Sequence, residues 1–156
     1  MNENENKSGK AQETIIGSMP RRIRHGLITT LVGFLLFLLG AKPELFHADR
    51  SPVIGFVQIA FFLVGLAVIC IGGYISLASL WEGEQKSIVA DIGLRLVATG
   101  YLIAVASGMA DVFGIGTQPW PQTPYFGPMQ STGVILGEIC IAIGFLMLIP
   151  FNRMLD

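Results

Sequence analysis

The chain has 156 residues, of which 52% are hydrophobic and 13% charged, and its mean hydropathy is +0.62. This composition excludes an ordinary soluble globular domain. The formal net charge of −1 gives no global field that would attract nucleic acid. The composition therefore predicts an integral membrane protein that does not bind nucleic acid.

The N-terminal tail, residues 1–22, is polar, lacks hydrophobic periodicity and ends in basic residues. Such a segment is typical of a disordered tail, and we expect it to be cytoplasmic. Arg21, Arg22 and Arg24 meet the expected membrane surface, where each contributes on the order of 1 kcal/mol of attraction to anionic lipid. They are candidate lipid-headgroup residues, although a role in setting the topology explains them equally well. Residues 23–156 then form the membrane domain.

Four apolar segments follow, at about residues 26–41, 52–80, 88–110 and 131–151. A membrane span needs about 20 mostly apolar residues in helical form, because lipid offers no partner for an exposed backbone group. The sequence therefore predicts an all-α integral membrane protein, a four-transmembrane-helix bundle. The first segment gives only about 24 Å of helix against a hydrocarbon core of about 30 Å, which leaves open whether it spans fully.

The distribution of basic residues predicts the orientation. Lys86 and Arg153 lie on the same side as the basic N-terminal cluster, whereas the alternate loops hold only Lys42 and Arg50. The positive-inside rule then puts the N and C termini in the cytoplasm. The short loops and the lack of a clear signal peptide favour a multi-pass protein of a prokaryotic cytoplasmic membrane.

The connections between the segments predict which helices are neighbours. The turn between the second and third segments is short, so we expect these two helices to form an antiparallel hairpin. The two longer loops share no motif, so we expect no internal repeat, and an inverted-repeat transporter finds no support. Small residues mark close packing in membranes, and stripes rich in them run along three helices: Gln58, Gly65, Gly72 and Ser76; Gly93, Gly100, Ala104, Ser107, Gly108 and Asp111; Gly133, Gly137, Cys140 and Gly144.

Two charged residues lie near the cytoplasmic end of the third helix. Asp91 and Arg95 are four residues apart and therefore share a face, and an arginine at this depth can reach the headgroups. The spacing predicts a structural ion pair, with docking to a partner subunit or lipid as the alternative.

Glu138 lies about 10 Å into the fourth helix, where an ionised carboxylate is costly and a neutral, hydrogen-bonded form is favoured. Gln58 is expected at a similar depth, and Ser107 and Asp111 can complete a polar cluster. One interpretation is an interhelical hydrogen bond between Glu138 and Gln58; the other is a proton or cation site that opens outward. Contact with another subunit is a third possibility, because Glu138 points about 130° away from the glycine stripe of its own helix.

The loop of residues 111–130 combines four prolines with Trp120, Tyr125 and Phe126. Prolines restrict the backbone and aromatic side chains favour the membrane–water interface. This loop either lies on the bilayer or binds an extracytoplasmic partner. In the shorter loop, His47 with two carboxylates is a poor metal signature, so we expect no metal site and no cofactor.

No catalytic motif is present, so we expect a protein that is not an enzyme. The leading hypothesis is an accessory or structural subunit of a larger membrane complex such as a multi-subunit transporter. The layout of four helices with cytoplasmic ends resembles the small membrane subunits of multi-subunit secondary transporters. The alternative is an autonomous, oligomeric proton- or cation-coupled small-solute transporter or channel that uses Glu138. The expected partners are the lipid bilayer and either another membrane protein or further copies of this chain.

Overall fold

The computed structural model describes residues 20–42, 56–81, 83–115 and 127–150. Its four helices are α1 (Arg21–Ala41), α2 (Phe56–Ser79), α3 (Ile88–Gly108) and α4 (Pro128–Leu148). All four are long and apolar enough to cross a membrane. The described part of the protein is therefore an all-helical fold with four candidate membrane spans, while most of the tail predicted at residues 1–22 lies outside it.

The helix boundaries differ from the sequence-based ones at the starts of the helices. α1 begins at Arg21 and has 21 residues, or about 31 Å of helix, so the first segment is long enough to span after all. α4 begins at Pro128, because proline is favoured in the first turn and the Gly127 N–H donates a hydrogen bond to Oε1 of Gln130 at 2.9 Å. This local cap starts α4 earlier than hydropathy alone predicts.

The helices pack as two tight hairpins. α1 packs along α2 to form hairpin A, α3 packs along α4 to form hairpin B, and α2 makes most of the limited contact between the two hairpins. The second and third helices, predicted to form an antiparallel hairpin, are joined by a short turn and contact each other, but less extensively than each contacts its partner in hairpin A or B. The short turn after Ser79 joins two hairpins, because the small-residue faces of α2 and α3 are occupied by α1 and α4.

Glycines allow the close approach within each hairpin. In hairpin A, a Cβ atom added to Gly33 would lie 2.6 Å from the Ile69 nitrogen and 3.0 Å from the Gly65 carbonyl oxygen. In hairpin B, a Cβ atom added to Gly100 would lie 2.6 Å from the Gly137 carbonyl oxygen. Because lipid gives helices no hydrophobic reason to associate, such backbone contact is a main source of packing energy.

Equivalent glycine contacts recur two helical turns further along each hairpin. A Cβ atom on Gly26 would lie 2.9 Å from the Gly72 carbonyl oxygen, and one on Gly93 would lie 2.6 Å from the Gly144 carbonyl oxygen. Within each hairpin the second pair of glycines lies two helical turns from the first. The two hairpins therefore share one packing register.

Hairpins A and B are repeats of one unit. The second helix of each hairpin carries the pattern Gln-x6-Gly-x3-Ile-x-Ile-Gly, and the first helix of each carries Gly-Leu followed by Gly-aromatic-Leu. The expectation that the chain has no internal repeat is therefore wrong, because the loops differ while the helices correspond. Equivalent positions include Gly26 and Gly93, Gly33 and Gly100, Gln58 and Gln130, Gly65 and Gly137, and Gly72 and Gly144.

The two hairpins meet through an apolar core. Leu63 and Leu66 of α2 are each 5% exposed and cluster with Val97, Ala104 and Ile141 of hairpin B. At one end of the bundle α1 and α3 end and α2 and α4 begin; we call this the loop end. The opposite end, which holds the turn between α2 and α3, is the turn end.

Polar contacts add to the apolar core on both sides of it. The Tyr101 hydroxyl donates to the Leu63 carbonyl oxygen at 3.5 Å. Near the turn end, the Trp81 Nε1–H donates to the Leu148 carbonyl oxygen at 3.0 Å. The first bond joins α3 to α2, and the second joins the turn after α2 to the end of α4.

Candidate functional site

A cavity of about 320 Å³ opens between the hairpins at the loop end. Its walls come from all four helices, because α1 and α3 end at this level while α2 and α4 begin. Three polar side chains line it: Gln58 of α2, and Ser131 and Glu138 of α4. The remaining lining residues are Phe37, Gly40, Ala41, Ile59, Phe62, Gly108, Val134 and Ile135.

Glu138 occupies the deep part of this cavity. It lies midway along α4, about 15 Å from the start of the helix, whereas Gln58 is in the first turn of α2. The two residues, predicted at a similar depth, lie at different distances from the described starts of α4 and α2, and both line the cavity. Within the described residues no hydrogen bond joins Glu138 to Gln58.

The other two residues of the predicted polar cluster lie elsewhere. Ser107 faces Gly133 within hairpin B and lines a separate cavity of about 370 Å³. Asp111 lies in the turn that follows α3, and its buried Oδ1 has no hydrogen-bond partner in the described part of the chain. The structure thus brings together Glu138 and Gln58 and separates them from Ser107 and Asp111.

Asp91 and Arg95 lie in the first two turns of α3. Nη2 of Arg95 is 2.9 Å from Oδ2 of Asp91, and the two side chains are 79% (Arg95) and 55% (Asp91) exposed. Between them Gly93 faces α4, so the pair lies outside the hairpin interface.

Removal of this ion pair should have little effect on folding. Exposed pairs at this spacing contribute about 0.3–0.5 kcal/mol, and we expect the coupling energy of Asp91→Asn and Arg95→Gln to be no larger. A double-mutant cycle of unfolding in detergent micelles measures it. A coupling energy several times larger would indicate that the pair holds the bundle together.

Of the remaining predicted site residues, the arginines lie at the turn end and the aromatic loop residues lie outside the described part of the chain. Arg21 and Arg22 are exposed and Arg24 partly exposed in the first turn of α1. Lys86, at the same end, lies 4.5 Å from the centre of the Tyr74 ring and donates to its hydroxyl at 2.9 Å. The loop residues Trp120, Tyr125 and Phe126 lie outside the described residues. No group of three or more potential metal ligands occurs among the described residues.

One wall of the cavity was missed by the sequence analysis. The rings of Phe37 and Phe62 are in tilted contact, with centroids 4.6 Å apart and an interplanar angle of 36°, and both line the cavity. Their equivalents in hairpin B are the smaller Ala104 and Val134. An alignment of the two repeats in the sequence would have identified this wall, because it shows that hairpin A has larger side chains than hairpin B at these two positions.

These features define a class of protein: a multi-pass, all-helical protein with four candidate membrane spans and a carboxylate in a cavity between two repeated hairpins. No protein-family description, curated protein or solved structure matches this chain. The functional argument therefore starts from the cavity and the exposed faces of the helices.

Proposed function

We propose that the protein is a non-enzymatic accessory or structural subunit of a larger membrane complex, such as a multi-subunit transporter in a prokaryotic cytoplasmic membrane. The observation that carries the proposal is the apolar contact between the hairpins, which contains Leu63, Leu66 and Val97. Among the described residues Gln130 is the only polar residue that is buried as a whole, and it caps α4. The four described helices therefore offer no polar path beyond Glu138, and we expect transport to require another subunit.

The helix α1 offers the surface for such a subunit. It packs almost entirely against α2, and its other faces carry large apolar side chains. Lipid can cover these side chains, and a transmembrane helix of a partner can cover them equally well. This face of α1 is the proposed docking surface, and the loop residues Trp120, Tyr125 and Phe126, which lie outside the described residues, remain a separate proposed contact for a partner. The exposed members of the α1 face are Leu27, Ile28, Leu31, Val32, Phe34 and Leu35.

Affinity purification from native membranes in mild detergent, followed by mass spectrometry, tests this proposal. We expect a larger membrane protein in stoichiometric amount. Leu31→Trp should release it, because Leu31 is 60% exposed on α1, whereas Leu102→Trp on α3, at 67% exposed, should not. Recovery of this chain alone, or only as a homo-oligomer, would overturn the accessory role.

A second candidate function is supported by the position of Glu138. A carboxylate at the deep part of an open cavity is typical of proton- or cation-coupled membrane proteins. In this alternative, several copies of the chain form an autonomous transporter or channel. Glu138→Gln should then abolish flux in proteoliposomes while the oligomer persists, and normal flux in that variant would eliminate this alternative.

A further inference from the structure

We propose that the cavity between the hairpins binds a lipophilic organic ammonium ion, with Glu138 as its counter-ion. This inference concerns the isolated chain and goes beyond its role as a subunit. It is based on the comparison of hairpin A with hairpin B and on the chemistry of the cavity walls.

The cavity lies where the second repeat departs from the first. Glu138 takes the position that Leu66 has in hairpin A, and Leu66 is 5% exposed in the core between the hairpins. A carboxylate within a candidate span is costly and is usually kept for a function. Two other α4 residues of the lining also replace larger apolar ones: Ser131 corresponds to Ile59 and Val134 to Phe62.

The cavity walls match an ammonium group. The Glu138 carboxylate makes no hydrogen bond to any other described residue, so it is available to a bound cation. The rings of Phe37 and Phe62, in tilted contact, line the same cavity, and an aromatic face attracts a cation. No lysine or arginine is among the described lining residues. A carboxylate and aromatic side chains that line one cavity favour a positively charged nitrogen.

The rest of the lining selects against inorganic cations. Hard metal ions such as Ca²⁺ take about six to eight oxygen ligands, whereas among the described lining residues only Gln58, Ser131 and Glu138 carry side-chain oxygens. Val134 and Ile135 supply apolar surface, which favours an alkyl or aryl body on the ligand. The volume of about 320 Å³ is at the small end for ligand pockets, which span roughly 300–1,000 Å³. A compact amine with a short apolar tail fits these properties.

Equilibrium dialysis of the full chain in phosphatidylcholine nanodiscs tests the proposal with three probes of equal tail length: octylammonium, octanol and octanoate. Empty nanodiscs report partition into the bilayer. We expect saturable binding of one octylammonium per chain and none of the other two probes. Glu138→Gln should weaken octylammonium binding about tenfold or more, because a charge-assisted contact is lost.

Two further variants test separately the position of the negative charge and the shape of the cavity. Asp91→Asn removes a carboxylate outside the cavity and should leave octylammonium binding unchanged. The double variant Ser131→Ile, Val134→Phe gives hairpin B the side chains of hairpin A, keeps Glu138, and should block binding by filling the cavity. The proposal is overturned if octanol binds as well as octylammonium, if Glu138→Gln binds normally, or if the filled cavity still binds.

A change in the lipid composition of the nanodiscs identifies the source of the ammonium group. Phosphatidylethanolamine carries an ammonium headgroup, and its addition to the nanodiscs should compete with octylammonium if the natural ligand is a lipid. Binding that is unaffected by phosphatidylethanolamine assigns the cavity to a diffusible amine. In both cases the ligand has the proposed chemistry, and the result identifies the pool that supplies it.

Discussion

Gly100→Ala should lower the free energy of unfolding by about 1–3 kcal/mol, the usual cost of overpacking a tight contact. The added Cβ atom would lie 2.6 Å from the Gly137 carbonyl oxygen and 2.9 Å from the Ile141 nitrogen. Both are backbone atoms that no rotamer change can move, so α3 and α4 must separate along their length. The intrinsic preference of alanine for helix over glycine offsets only part of this loss.

Gly108→Ala on the same helix is the matched control. There the nearest atoms are side-chain methyl groups of Leu63 and Ile59, at 3.6 and 3.7 Å, which is an ordinary van der Waals contact. Reversible unfolding of both variants in mixed micelles, followed by far-UV circular dichroism, measures the difference. If the two variants are equally stable, the packing of α3 against α4 is looser than the structure indicates.

Gly33→Ala extends this result to hairpin A. Because Gly33 has the same position in its hairpin as Gly100, we expect a loss of similar size in the same unfolding measurement. A Gly33 variant as stable as the parent protein would contradict the equivalence of the hairpins.

Leu66→Glu and Glu138→Leu should have opposite effects, although the two positions are equivalent in the repeat. Leu66 is 5% exposed; its replacement loses about 1.5–3 kcal/mol of apolar burial and places a carboxyl group in the core, which adds further cost. We expect a total loss above about 3 kcal/mol. Glu138→Leu replaces a partly buried carboxylate that lacks a described hydrogen bond, so the isolated chain should be as stable or more stable.

The same unfolding assay distinguishes the two interpretations of Glu138. If Glu138→Leu destabilises the protein as strongly as Leu66→Glu, then Glu138 holds helices together by a hydrogen bond. An unchanged or higher stability instead indicates that the carboxylate is retained for binding or transport.

Much of the packing chemistry was predictable from the residues. The small-residue stripes predicted on α2, α3 and α4 are the faces that pack, because glycine is needed wherever backbones approach closely. The corresponding stripe of α1, with Gly26, Gly33 and Gly40, lies within the predicted segment 26–41 but was not among the predicted stripes. A glycine stripe marks a close contact without identifying its partner, so the pairing of α1 with α2 required the structure.

The predicted polar cluster shows the same limit, because the sequence did not determine which of its side chains face one another. Depth along a helix was estimated from hydropathy, which does not register a proline–glycine start such as that of α4. Glu138 and Gln58 still line one cavity because both point to the space between the hairpins. Ser107 does not, because the rotation of α3 turns it toward Gly133.

The sequence by itself determined four long apolar helices, the glycine faces of three of them and the presence of a carboxylate, Glu138, within the fourth. It did so because a bilayer constrains length and polarity at every residue. Only the tertiary structure decided that the helices form two equivalent hairpins and that Glu138 faces a cavity with Phe37 and Phe62. These properties depend on which helix covers which face. The sequence does not determine this, because an apolar side chain can be covered equally well by lipid, a neighbouring helix or a partner.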